Sequence, residues 1–169
     1  VKGYIEWEIN TRDFRKGYKL LGIFNFVDKM NTPMYYKAKF MAPDGKKTLS
    51  YYSINEEGKV KNKRNGEELL YNLYNVIQGI RDDKVIILTE GEKDANTINS
   101  MLKNKRYVAT SCKNINDFSI LQNAKIFVCG DTGIAGSKYI ENIKFQLLEE
   151  SEEFKVINFK GIKDLGDNK

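Results

Sequence analysis

With 169 residues, 41% of them hydrophobic and 30% charged, the chain can bury one good core and a smaller satellite, a composition that points away from intrinsic disorder. No apolar run approaches the roughly 20 residues of a membrane-spanning helix, no signal peptide is visible, and the chain reads as cytoplasmic with no membrane partner. Lys and Arg number 28 against 23 Asp and Glu, a net charge of +5 that favours an anionic partner, while the complete absence of histidine excludes Ser-His-Asp and Cys-His nucleophiles.

The first half is rich in tyrosine and phenylalanine in short alternating runs. Residues 18–27, 34–41 and 48–54 read as strands separated by turn residues such as Pro43-Asp44-Gly45 and Asn55-Glu56-Glu57-Gly58, a meander of antiparallel hairpins. Residues 67–80 carry apolar side chains at helical spacing and lead into a second unit, so a β-rich subdomain is expected over 1–80 and an α/β domain over 81–169. From residue 84 the rhythm becomes strand 85–89, helix 92–103, strand 107–111, a short helix around 115–121, strand 126–130, helix 136–150 and strand 154–159. Strands joined by crossover helices make a parallel sheet flanked by helices. Cys112 and Cys129 sit in or beside apolar strands, and with no C-x-x-C and no histidine they read as core thiols, leaving no zinc site in this chain.

The basic surplus is concentrated. Between residues 37 and 64 stand Lys37, Lys39, Lys46, Lys47, Lys59, Lys61, Lys63 and Arg64 against Asp44, Glu56 and Glu57. Such a stretch suits a polyanion, and the alternative is a set of solvated lysines guarding exposed strands. Tyr35, Tyr36, Tyr51 and Tyr52 could stack on unpaired bases, or alternate between the core and the surface of a small sheet.

Three acidic groups follow three strands. Glu90, with Glu92 and Asp94, follows 85–89; Asp131 follows 126–130; Asp164 and Asp167 follow 154–159. In a parallel sheet the carboxyl ends of strands share one edge, where such sheets gather ligands. Convergent carboxylates require a cation, and oxygen donors without histidine or thiolate select Mg²⁺ or Mn²⁺. Each acid also has a structural role open to it. Glu92 or Asp94 can complement a helix N-terminus by about 0.3–1 kcal/mol, Asp131 can be a turn residue, and Asp164 and Asp167 can be a solvated tail.

The E-G-E-K-D-A run at Glu90 to Ala95, the D-T-G-I-A-G run at Asp131 to Gly136, and the K-D-L-G-D run ending at Asp167 resemble the Toprim domain shared by bacterial primases, type IA and II topoisomerases and recombination nucleases. The likeness is closest to the primases and primase-helicases of phages and mobile elements, in which a β-rich segment and a leucine-tyrosine-asparagine-leucine run, here Leu70 to Leu73, precede the first motif. It implies a Toprim-like, Rossmann-like sheet after a smaller antiparallel subdomain, and a DNA primase making short RNA primers on single-stranded DNA from nucleoside triphosphates with Mg²⁺ or Mn²⁺. Glu90 would be metal ligand or general acid/base, Asp131 the first aspartate of the family's D-x-D, and Asp164 with Asp167 the later acidic element. Gly91, Glu92, Asp94, Gly133 and Gly136 would support them, and Lys37, Lys39, Lys46, Lys47 and Lys93 would face nucleic acid or nucleotide. The resemblance also implies flanking modules, a zinc-binding template reader before this piece and a replicative helicase after it or in trans.

One position departs from the pattern: Gly133 stands where the family has the second aspartate of D-x-D. A lost carboxylate lowers metal affinity. Two rivals therefore stand beside the primase, a nucleic-acid-binding Toprim module with weakened catalysis and a Toprim nuclease. A nucleotide-binding regulatory domain is weaker, because no G-x-x-x-x-G-K-[ST] or G-x-G-x-x-G loop is present.

Overall fold

Alternate residues of the first strands carry different chemistry, and this decides what each face of the first sheet does. The computed structural model describes residues 1–103, 106–113, 115 and 117–167, and divides into two units, Val1–Glu67 and Glu68–Lys169. In the first, strands β1 (Lys19–Val27), β2 (Pro33–Met41), β3 (Lys47–Ile54) and β4 (Val60–Lys61) pair antiparallel in sequence order. The expected hairpins are present. The first turn is held by Asp28, whose Oδ1 accepts the N–H groups of Met30 and Thr32, both at 2.8 Å, and these bonds keep its carboxyl below the usual range.

Helix α1 (Lys2–Thr11) was not expected from the sequence. Its Ile5 packs with Ala38, Phe40 and Tyr52 on one face of the sheet. Beside Ile5 the helix buries Glu8, whose carboxylate accepts the Tyr52 hydroxyl at 2.7 Å and the Asn62 amide at 2.6 Å. Arg15, also buried, reaches Ser50 and the Tyr52 oxygen, and lies 4.2 Å over the Phe40 ring. A charged group can be buried only where hydrogen bonds and an opposite charge replace water; these contacts do so for the Glu8 carboxylate and for Arg15 Nη2, while Arg15 Nε has no hydrogen-bond partner among the described residues.

In the second unit β5 (Val85–Thr89), β6 (Tyr107–Ser111), β7 (Lys125–Cys129) and β8 (Glu153–Val156) form a wholly parallel sheet in the order β6-β5-β7-β8. Ile86, Leu88, Val108, Ile126 and Val128 point to one face, with Val76 of α2 (Leu73–Arg81) and Tyr139, Ile143 and Leu147 of α4 (Ile134–Leu147). Ile87, Ala109, Phe127 and Cys129 point to the other, with Ala95 and Ile98 of α3 (Glu92–Met101) and Ile162 of α5 (Phe159–Asp167). Burial on both faces explains the unbroken apolar runs of β5 and β7. The units divide at Glu67 rather than at residue 80, because α2, which begins only at Leu73, joins the core of the parallel sheet.

Two further differences concern local structure. The short helix expected around 115–121 is a 3₁₀ turn at Ser119–Leu121, and residue 116 lies outside the described residues. The last strand stops at Val156, and the segment holding Asp164 and Asp167 is helical. No helix among the described residues is long and apolar enough to cross a membrane.

Both cysteines are buried, as their apolar surroundings in the sequence suggest. Burial pushes the Cys112 thiol up to about 12, and burial with the charges of Asp94 and Asp131 pushes Cys129 up to about 11. Since the thiolate is the reactive form, neither should react with Ellman's reagent at pH 8 in the folded chain, and both should react in denaturant. Fast labelling of either in the native state would contradict this packing.

Candidate active site at the carboxyl edge of the parallel sheet

Strand order brings three segments together around Glu90. β5 is flanked by β6 and β7, so whatever follows Thr89 meets whatever follows Ser111 and Cys129. The Thr89 hydroxyl lies within donating distance of the carbonyls of Gly91, at 2.9 Å, and Thr110, at 3.1 Å, sharing its one proton between them and closing the turn that presents Glu90. Gly91 is then the N-cap of α3.

The Glu90 side chain is only 7% exposed. Its Oε1 accepts the backbone N–H of Asp131 at 3.0 Å, and its Oε2 lies 3.7 Å from Lys113 Nζ. Behind it, Tyr139 donates its hydroxyl to the Thr89 carbonyl at 2.8 Å, with Cys112 Sγ 3.3 Å from the same hydroxyl. Burial above all, then the neighbouring Cys112 thiol and the Glu90 charge, holds the Tyr139 phenol well above its ordinary range. Tyr139 therefore stays protonated and pins helix α4 to the end of β5.

The Asp131 loop is shaped by glycines. A Cβ on Gly136 would stand 1.5 Å from the Asp131 carbonyl oxygen, so the first turn of α4 presses against the loop backbone. Gly133, the N-cap of α4, has φ +94, a conformation other residues rarely adopt, with open space around it. Asp131 is exposed beside this turn.

The other sequence-derived candidates are placed as follows. Glu92 is buried and Asp94 half-buried in the first turn of α3, and Lys93 is exposed there. Asp164 and Asp167 lie exposed on α5, which runs back along the sheet: Gly166 sits against Leu102, just past the far end of α3. Among the described residues no three Asp, Glu, His or Cys side chains are grouped to hold a metal ion. The structure thus unites Glu90 with the Asp131 loop and leaves Asp164 and Asp167 outside that contact.

Lys113 is the residue that sequence reasoning missed. It stands two positions past the end of β6, as Asp131 stands two past the end of β7, so strand order would have pointed to both.

In the first unit, register puts Lys19, Lys37, Lys39 and Lys47 on the face opposite α1, with Phe24, Phe26, Tyr35 and Tyr51. Lys37 is buried, its ammonium 4.9 Å from the Phe26 ring centre and 5.7 Å from that of Tyr51; Lys39 lies 5.3 Å from the Phe24 ring. Lys47 is exposed, and Lys46, in the turn, pairs with Asp44 at 3.2 Å. The tyrosines alternate: Tyr36 and Tyr52 face α1, Tyr35 and Tyr51 the lysines.

The fold and the site define an α/β protein with a carboxylate buried at the carboxyl edge of a helix-flanked, four-stranded parallel sheet, together with a separate antiparallel sheet. No protein-family model matches the chain, and no curated protein matches it either.

Proposed function

We propose that this chain is a Toprim-type core of a DNA primase, joining ribonucleotides on a single-stranded DNA template with Mg²⁺ or Mn²⁺, in the replication of a phage or mobile element. The observation that carries the reading is Glu90, a nearly buried carboxylate held at the end of a central parallel strand by the Asp131 N–H. An oxygen-only donor set fits one hard ion, since Mg²⁺ is usually held by one or two carboxylates and completed by water and phosphate oxygens. Glu90 and Asp131 would hold it. When bound, such an ion neutralises phosphate charge and polarises the reacting oxygens. Gly133 leaves the loop backbone open to a phosphate, and Lys113 supplies a positive charge beside Glu90. The lysine face of the first sheet would take the template strand, with affinity falling steeply as salt rises.

Calorimetry with Mn²⁺, and labelled nucleotides on single-stranded DNA, test the reading together. Native protein should bind Mn²⁺ and accumulate oligonucleotides. Glu90→Gln should lose roughly tenfold or more in metal affinity and all synthesis, whereas Lys113→Met, lacking the competing ammonium, should bind Mn²⁺ more tightly. Cleavage without synthesis would make the protein a nuclease. No Mn²⁺ binding in the native chain would favour a second reading, a nucleic-acid-binding module, to which the ammonium beside Glu90 and the missing D-x-D aspartate already lend support.

A further inference from the structure

β6 is an edge strand of the parallel sheet, and a groove of about 640 Å³ runs along it between α2 and α3. The groove is not a slot for an added strand. Asn99 donates to the Ala109 carbonyl at 2.9 Å and accepts the Ala109 N–H at 2.8 Å, and Asn72 reaches the same carbonyl at 3.3 Å, so side chains already satisfy the middle of that edge. What remains in the walls is hydrogen-bonding capacity of another kind. Among the described residues Asn75 spends only its amide nitrogen, on Asn72, and Asn96 only its oxygen, on the Tyr71 hydroxyl. Gln78 adds a third carboxamide.

The charge of the groove is one-sided. Lys84 and Lys103 line it; among the described residues no carboxylate lines it and neither lysine makes an ion pair. Both stand where β5 begins and α3 has ended, at the amino edge of the sheet, away from Glu90. Tyr107 contributes an aromatic ring at that end and Tyr71 one at the other. The volume is that of a small-ligand site, typically about 300–1,000 Å³. Carboxamides read the donor–acceptor edge of a base such as adenine, tyrosines offer stacking surface, and a lysine pair without carboxylates selects phosphate.

We propose that this groove binds a nucleoside phosphate without metal, its phosphates on Lys84 and Lys103 and its base among Asn75, Gln78 and Asn96. The site is separate from the carboxyl edge and does not depend on the primase reading.

The test uses the whole chain in EDTA, titrated by calorimetry with ADP, adenosine and inorganic phosphate, with thiol protection of the cysteines verifying the fold of each variant. ADP should bind more tightly than either fragment. Lys84→Met with Lys103→Met should weaken ADP roughly tenfold or more while sparing adenosine, and Gln78→Ala with Asn75→Ala should weaken adenosine. Glu90→Gln should leave ADP binding in EDTA unchanged, which separates this site from the proposed active site. Absence of ADP binding to folded native protein overturns the proposal. So does ADP binding that Glu90→Gln abolishes and the lysine variant spares, or equal affinity for phosphate and ADP.

Discussion

Alanine at position 136 should severely destabilise the parallel-sheet unit. The added methyl carbon would stand 1.5 Å from the Asp131 carbonyl oxygen, 2.5 Å from its carbon and 3.0 Å from its nitrogen. Overpacking commonly costs about 1–3 kcal/mol, because flexible side chains give way. Here the obstacle is backbone, and both partners are fixed: Asp131 through its N–H bond to Glu90, and α4 through the Tyr139 hydroxyl and the buried Ile143 and Leu147. A cost of about 3 kcal/mol or more is expected, a large share of the roughly 5–15 kcal/mol that holds a domain folded. The measurement is the rate at which Cys112 and Cys129 react with Ellman's reagent at pH 8, supported by denaturant titration. Gly133→Ala is the comparison, since its cost comes from φ +94 alone, about 1–3 kcal/mol, with nothing within 4 Å of the new carbon. Thiols as well protected in Gly136→Ala as in the native chain would show that helix and loop are not in the contact described.

Phenylalanine at position 52 uncouples the charges buried between α1 and the first sheet. The Tyr52 hydroxyl donates to Glu8 at 2.7 Å and lies 3.5 Å from Arg15 Nη2, so its loss leaves a carboxylate on a residue that is 2% exposed with the Asn62 amide as its remaining side-chain donor among the described residues. An unsatisfied buried group costs about 1–3 kcal/mol, more when charged. Burial, and next the bond to Glu8, pushes the Tyr52 phenol up to about 12 from 10.0. The sign follows from linkage: with the folded value raised, the contribution is complete below pH 10 and is lost as pH rises toward 12. Trp7, the only tryptophan, lies on α1 and reports on this unit by fluorescence in the whole chain. Native protein should lose stability through that alkaline window; Tyr52→Phe should be less stable at pH 7 and flatter between pH 10 and 12. Equal stability at pH 7 would mean that the hydroxyl does not bridge these charges.

Both variants act on features invisible at the level of residue pattern, and the contrast with what was visible is physical. Strand β5 is legible to the residue because burial on both faces demands a continuous apolar run bounded by polar turns. Glu90 is legible for the same reason, being the first acid after such a run. The first three strands of the other sheet are legible through their alternation. Helix α1 is not, because one of its two buried positions is Glu8, whose partners Tyr52 and Asn62 lie far along the chain. Nor is α5: two glycines in Phe159–Asp167 lower its helix propensity, and it exists because Ile162 and Leu165 find the apolar side of α3.

By itself, then, the amino-acid order determined two units, one of antiparallel hairpins and one of alternating strands and helices, and marked Glu90 and the Asp131 loop as neighbours of strand ends. Tertiary structure alone decided that β5 lies between β6 and β7, and so which side chains Glu90 meets: the Asp131 N–H from one flank and Lys113 from the other, with Asp164 carried off on α5. The reason is that propensity and apolar spacing act over a few residues, whereas the meeting of charges across a sheet depends on strand order, which the packing of the helices on its two faces selects.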